Sequence, residues 1–119
     1  MRQLCLLSFL AAMAVGCGND ALDNTAYRRV VDAYDTNDQC LAQGNFATCY
    51  QTLTFCANGR AHANLDVRQD GNYQLQDSTA IASLPYVTVV FDLETLTSTQ
   101  LPGRHPWELV EPLIYDCAE

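Results

Sequence analysis

The chain has no lysine. All six basic residues are arginine, set against 14 aspartates and glutamates, for a formal net charge of −8. That balance argues against nucleic acid, whose affinity comes largely from neutralised phosphates. It also argues against adhesion of the protein body to anionic lipid. No apolar run reaches the length of about 20 residues that spans a bilayer. A phosphate-binding glycine loop, a dinucleotide fingerprint and a basic aromatic patch are all absent. No two cysteines have the Cys-x-x-Cys spacing, and His62 and His105 lie far from the cysteines, so no metal site is expected. Neither histidine stands with a nucleophile and an orienting acid in a recognisable pattern. These gaps point to a protein that is not an enzyme and needs no cofactor.

What is present begins with the leader. Arg2 supplies one positive charge, Leu4 to Val15 is apolar apart from Ser8, and Ala14, Val15 and Gly16 are small. A basic start, an apolar core of about a dozen residues and a small-residue cleavage site make a secretory signal peptide. Loss of residues 1–16 would leave 103 of the 119 residues, enough for one small domain. That remainder keeps every acidic residue and loses only Arg2 among the basic ones.

Cysteine usage agrees with export. Cys5 lies in the leader, and Cys40, Cys49, Cys56 and Cys117 form an even set in the mature part. In an oxidising compartment such a set reads as two disulfides. Pairing Cys49 with Cys56 is disfavoured, because an extended strand between them would separate the sulfurs by roughly 20 Å. Two pairings remain: Cys40–Cys49 with Cys56–Cys117, or Cys40–Cys56 with Cys49–Cys117. The first is preferred, since it closes one loop locally and ties the C-terminus to an early strand.

Ala14-Val15-Gly16-Cys17 resembles the lipobox of bacterial lipoproteins. The resemblance implies that the Cys17 thiol carries a diacylglyceryl group, that signal peptidase II cuts after Gly16, and that the new amine is usually acylated. Two or three acyl chains hold a protein that a single chain would hold only loosely. Gly18, where Asp can retain some lipoproteins at the inner membrane, favours sorting to the outer membrane, facing the periplasm or the outside. Residues 17–25 then form a lipidated N-terminus and short tether, and residues 26–119 one small domain.

The body reads as β. Tyr27 to Asp35 is expected to be a first strand, with a helix as the alternative. Asp35 to Asn45 reads as a polar loop, and Asp32, Asp35 and Asp38 within reach of it lack the spacing of a calcium site. Thr48 to Cys56 alternates, with Leu53 and Phe55 on one face, and Asn58-Gly59 signals a hairpin. Arg60 to Arg68 alternates so cleanly that one half-buried strand is expected, with a turn at Gln69 to Asn72. Further strands are expected around Tyr73 to Gln76, at Thr79 to Leu84, at Val87 to Leu93 near the sheet centre, at Thr95 to Leu101 and at Leu113 to Cys117. The fold class is therefore all-β: a small antiparallel meander of seven to eight strands, barrel or sandwich, stapled by disulfides.

The order of Gly71-x-Tyr73, two short strands, a stronger strand with Phe91-Asp92, Thr95-Leu96-Thr97 and a late Trp107 is similar to that of small lipocalin-like barrels of bacterial lipoproteins. The Gly-x-Trp of the lipocalin first strand is absent. This resemblance, over about residues 46–117, implies a small barrel, with a carrier of a small apolar ligand as one alternative; a pocket lined by inward Tyr50, Tyr73, Phe91 and Trp107 would favour binding. The combined expectation is a membrane-anchored, non-enzymatic binding or interaction module of the cell envelope, with an envelope protein or small apolar ligand as partner. A structural envelope protein without a ligand is the alternative, which a filled interior would favour. His62 is expected to be solvated on a polar strand face, and Glu108 and Glu111 to be surface charges.

Overall fold

A computed structural model describes residues 21–44, 48–112 and 114–117. The leader and Cys17 lie outside the described residues. Seven antiparallel strands form a single sheet: β1 (Thr25–Val30), β2 (Tyr50–Phe55), β3 (Arg60–Leu65), β4 (Val67–Gln76), β5 (Thr79–Ser83), β6 (Thr88–Asp92) and β7 (Glu108–Val110). Two short helices, α1 (Asn37–Leu41) and α2 (Ile114–Cys117), lie outside it. The spatial order is β6-β5-β4-β3-β2-β1-β7. The first six strands thus make a meander, and the chain then crosses back to lay β7 against the free side of β1. The expected all-β, disulfide-stapled meander is present, in its barrel-like form: one sheet curled into a half-barrel.

The curl can be read from the core. Tyr27 on β1 and Phe91 on β6 lie five strand spacings apart in the sheet, about 24 Å if the sheet were flat. Their ring centroids are 4.9 Å apart. Phe55 on β2 also reaches Phe91, at 6.2 Å. Only a sheet wrapped on itself brings these rings together.

Alternation in the sequence selects the concave face, and residue size lets it close. Each inward aromatic ring on β2, β4 and β6 has an alanine as a cross-strand partner: Phe55 with Ala61, Tyr73 with Ala82, Phe91 with Ala80. Small beside large fills a tightly curved interior without overpacking it. Tyr27, Leu53, Phe55, Tyr73, Val89, Phe91 and Trp107 are all buried in one cluster. Each such side chain stabilises the fold by about 1.5–3 kcal/mol through burial. Tyr73 also seals the cluster, its hydroxyl accepting the Leu22 N–H at 2.7 Å and donating to the Cys56 carbonyl at 2.8 Å. Burial pushes the Tyr73 phenol up from its ordinary value, with the Leu22 hydrogen bond opposing.

Both disulfides form in the preferred pairing, Cys40–Cys49 and Cys56–Cys117. The first staples the connection between β1 and β2, which carries α1. The second ties α2 to the convex face of the sheet. There Ala26, Thr54 and His62 are buried although they point away from the core.

Several expected boundaries move. The strand expected from Arg60 to Arg68 reverses at Asp66, whose φ is +94°, so that Leu65 pairs with Val67. The turn expected at Gln69 to Asn72 is instead the middle of β4. Gly71 stands there because a Cβ would collide with the Ser83 carbonyl oxygen. In the hairpin between β2 and β3, Gly59 alone of the Asn-Gly pair has positive φ, at +88°. β6 is an edge strand, not a central one. In place of a strand over Thr95 to Leu101 the chain turns, because the Asp92 carboxylate accepts the N–H groups of Glu94 and Thr95 at 2.8 and 3.0 Å. Those hydrogen bonds hold the Asp92 carboxyl below its ordinary value. Residues 114–117 are helical, not extended, and Leu113 lies outside the described residues. The expected loop from Asp35 to Asn45 contains α1, capped by Thr36, whose hydroxyl accepts the Gln39 N–H at 3.1 Å. Asn45, the last residue of that loop, lies outside the described residues.

Candidate functional site: a recess at the seam of the half-barrel

β6 and β7 are the two edges of the sheet, and residues 93–107 run between them. This crossing segment closes the seam. Leu96, Leu101 and Trp107 press inward onto the core. Gln100 turns its side-chain oxygen onto the exposed Val90 N–H at 2.8 Å, so the β6 edge is partly capped.

Arg29 organises the seam. It shares the inward face of β1 with Tyr27, yet it is only 6% exposed. Its guanidinium lies over the Trp107 ring, 4.6 Å from the centroid, a cation–π arrangement. Nε donates to Gln51 Oε1 at 2.8 Å, Nη1 to the Leu101 carbonyl at 2.9 Å and Nη2 to the Pro102 carbonyl at 3.3 Å. All three acceptors are neutral. No carboxylate among the described residues forms an ion pair with Arg29. Burial draws its guanidinium below the ordinary arginine value, and the more distant Asp32 opposes that shift. Gly103 permits the close approach, since a Cβ there would lie 2.5 Å from Nη1.

A recess of about 280 Å³ opens beside this clasp, with Arg29, Leu96, Leu101 and Trp107 among its walls. The hydroxyl-bearing Thr97 and Ser98 also line it, as do Arg104 and His105. The last two fasten the crossing segment to the stapled β1–β2 connection. Arg104 donates to the Asp32 carbonyl through Nε and Nη2, at 3.1 and 2.8 Å, and to Asp35 Oδ1 at 2.6 Å. His105 Nε2 lies 2.7 Å from the Tyr34 carbonyl oxygen. A carbonyl can only accept, so Nε2 carries the proton.

The sequence-derived candidates scatter. Tyr73 and Phe91 are core rings, with centroids 5.0 and 6.2 Å from that of Phe55, and only Trp107 of the four expected lining residues borders the recess. Tyr50 lies on the convex face, where Arg28 covers its ring at 4.1 Å. Asp32 and Asp35 converge on Arg104, and among the described residues no group of three or more His, Cys, Asp or Glu could hold a metal ion. Glu108 pairs with exposed Arg28 at 3.3 Å.

His62 does occupy the polar strand face, but it is buried there, at 8% exposure, instead of solvated. Its Nδ1 meets Asp70 Oδ1 at 2.6 Å, and Arg68 Nε donates to the same oxygen at 2.9 Å. Those two hydrogen bonds, His62 first, hold the Asp70 carboxyl below its ordinary value. Arg68 Nη2 also lies 2.9 Å from Asp116 Oδ1, close enough for an ion pair but poorly aligned as a hydrogen bond. No hydroxyl or thiol is hydrogen-bonded to this histidine among the described residues, so the pair lacks the nucleophile a catalytic dyad would need.

Sequence reasoning missed Arg29. The signal was there: in the alternation Thr25, Tyr27, Arg29, a guanidinium occupies an inward position. Fold and site together define a class: a disulfide-stapled half-barrel with a cationic recess at its seam. Comparison with protein-family models, curated proteins and solved structures gave no match.

Proposed function

We propose that this is a membrane-anchored lipoprotein of the bacterial cell envelope, lipidated on Cys17, that acts as a non-enzymatic binding or interaction module. The observation that carries the reading is the pair of disulfides, downstream of the apolar leader and its Ala14-Val15-Gly16-Cys17 motif. Disulfides of this kind belong to an oxidising compartment, and the leader supplies the route to one. The outer membrane, facing the periplasm or the outside, is the proposed location. The tether is short: the Leu22 N–H is held by Tyr73, and the five residue steps from Cys17 to Leu22 reach at most about 18 Å. The domain therefore sits close to the lipid surface.

Binding is favoured over a purely structural role by the recess with its buried Arg29, which no carboxylate among the described residues pairs with directly. The structural alternative draws support from a concave face filled by Tyr27, Phe55, Tyr73, Phe91 and Trp107. A carrier enclosing an apolar ligand in the barrel interior has less support for the same reason. Cys17→Ala tests the anchor: the variant is expected in the soluble fraction, and a variant that stays with the membrane contradicts the reading.

A further inference from the structure

We propose that the seam recess binds a small carboxylate with a compact apolar body, its carboxylate on Arg29 and its body against Leu96, Leu101 and Trp107. Other arginines show what Arg29 lacks. Arg28 pairs with Glu108, Arg68 with Asp70, and Arg104 with Asp35. Arg60 donates to Asn72, in a solvent-exposed hydrogen bond. Among the described residues Arg29 is the buried arginine, and every group that accepts a hydrogen bond from it is neutral. Three of the guanidinium's five N–H donors are spent on those groups, which leaves two. Neutral carbonyls orient the cation without cancelling its charge, and a charge shielded from water interacts more strongly with an arriving anion.

The fork of a guanidinium matches a carboxylate, and the neighbouring walls set what the anion may carry. The Asp35 carboxylate is taken by the Arg104 guanidinium and the Asp32 carboxylate accepts the Arg104 backbone N–H, so Asp32 acts on Arg29 as a nearby charge and not as a hydrogen-bond partner. Leu96, Leu101 and the Trp107 ring offer apolar surface beside the cation. A volume of about 280 Å³ lies just below the roughly 300–1,000 Å³ of drug-sized sites, which limits the body to about one ring.

Trp107 is the sole tryptophan in the chain, so its fluorescence reads the recess directly. Titration of the full mature protein with cyclohexanecarboxylate should give a saturable change, and the neutral cyclohexanecarboxamide should bind at least about tenfold more weakly, as loss of a charge-assisted hydrogen bond requires. No saturable response, equal response to the amide, or saturation by inorganic phosphate in place of the carboxylate would overturn the assignment. Comparing ligands on the wild-type protein avoids reliance on Arg29 variants, which also lose the clasp on Leu101 and Pro102. The inference rests on the binding-module reading, and the two fail separately. Lost carboxylate binding in a protein that still fractionates with membranes overturns the recess alone. Carboxylate binding by an unanchored wild-type protein overturns the anchor alone.

Discussion

The concave core and the seam are buried by opposite means. In the core, Phe55, Tyr73 and Phe91 sit on alanines and touch one another edge-on or tilted, with no charge among them. At the seam a cation is buried against an indole ring and tied to backbone carbonyls of an irregular segment. The core is held by many contacts that need no specific angle; the seam depends on a few directed bonds. The recess opens beside those directed bonds.

The comparison breaks first at Phe91, which has no exposed surface. Phe91→Ala is expected to cost about 3–5 kcal/mol, read as a fall in the denaturant midpoint, whereas Leu109→Ala, at an exposed site, should stay within about 0.5 kcal/mol. A Phe91→Ala loss as small as that of Leu109→Ala would mean that the rings do not form the core. Next come the staples. Chain entropy makes a longer loop worth more, so removing Cys56–Cys117, which spans 61 residues, should cost about 4 kcal/mol. Removing Cys40–Cys49, which spans 9, should cost about 2.5 kcal/mol. The reverse order would show that the seam depends on the β1–β2 connection more than the core depends on the C-terminal tie.

Gly103→Ala sharpens the contrast from the seam side. Its Cβ forces Arg29 to move, at a cost of about 1–3 kcal/mol, and Trp107 emission should shift because the guanidinium lies on that ring. Unchanged emission would show that the clasp does not govern the recess. The smallest effect concerns the convex face and pH. Asp70 titrates lower folded than unfolded, so its contribution to stability is present above the ordinary carboxylate value of about 4 and is lost as pH falls through the lower folded value. Asp70→Asn should therefore narrow the gap to wild type as the pH drops below about 4, in melting curves taken at successive pH values. A gap that stayed constant would remove Asp70 from the acid response.

Much of this fold could be read from alternation. Leu53 with Phe55, Tyr73 with Leu75, and Val89 with Phe91 all point inward as their spacing says, and of the two disulfide pairings the sequence left open the preferred one forms. What alternation could not show is the reversal at Asp66. Leu65 and Val67 are cross-strand partners, so both sides of the reversal keep the same inward parity and read as one strand. Gly71 resembled a turn glycine because close approach by another strand leaves no local mark. Val90 made β6 look central, but its exposure follows from an edge that Gln100 caps through a contact ten residues away. Helix α1 did carry a sign: Thr36-Asn37-Asp38-Gln39 has the spacing of a capping box, and the Gln39 side chain accepts the Asp35 N–H at 2.8 Å. The candidate site was the least legible part, because Arg29 meets residues more than 70 positions away, and only the curl brings them together.

The most direct test of the functional account is the intact mass of the protein purified from its own membranes. The account predicts the mass of Cys17 to Glu119 plus acyl chains and minus four hydrogens, one pair for each disulfide. An unmodified N-terminus or free thiols would contradict it.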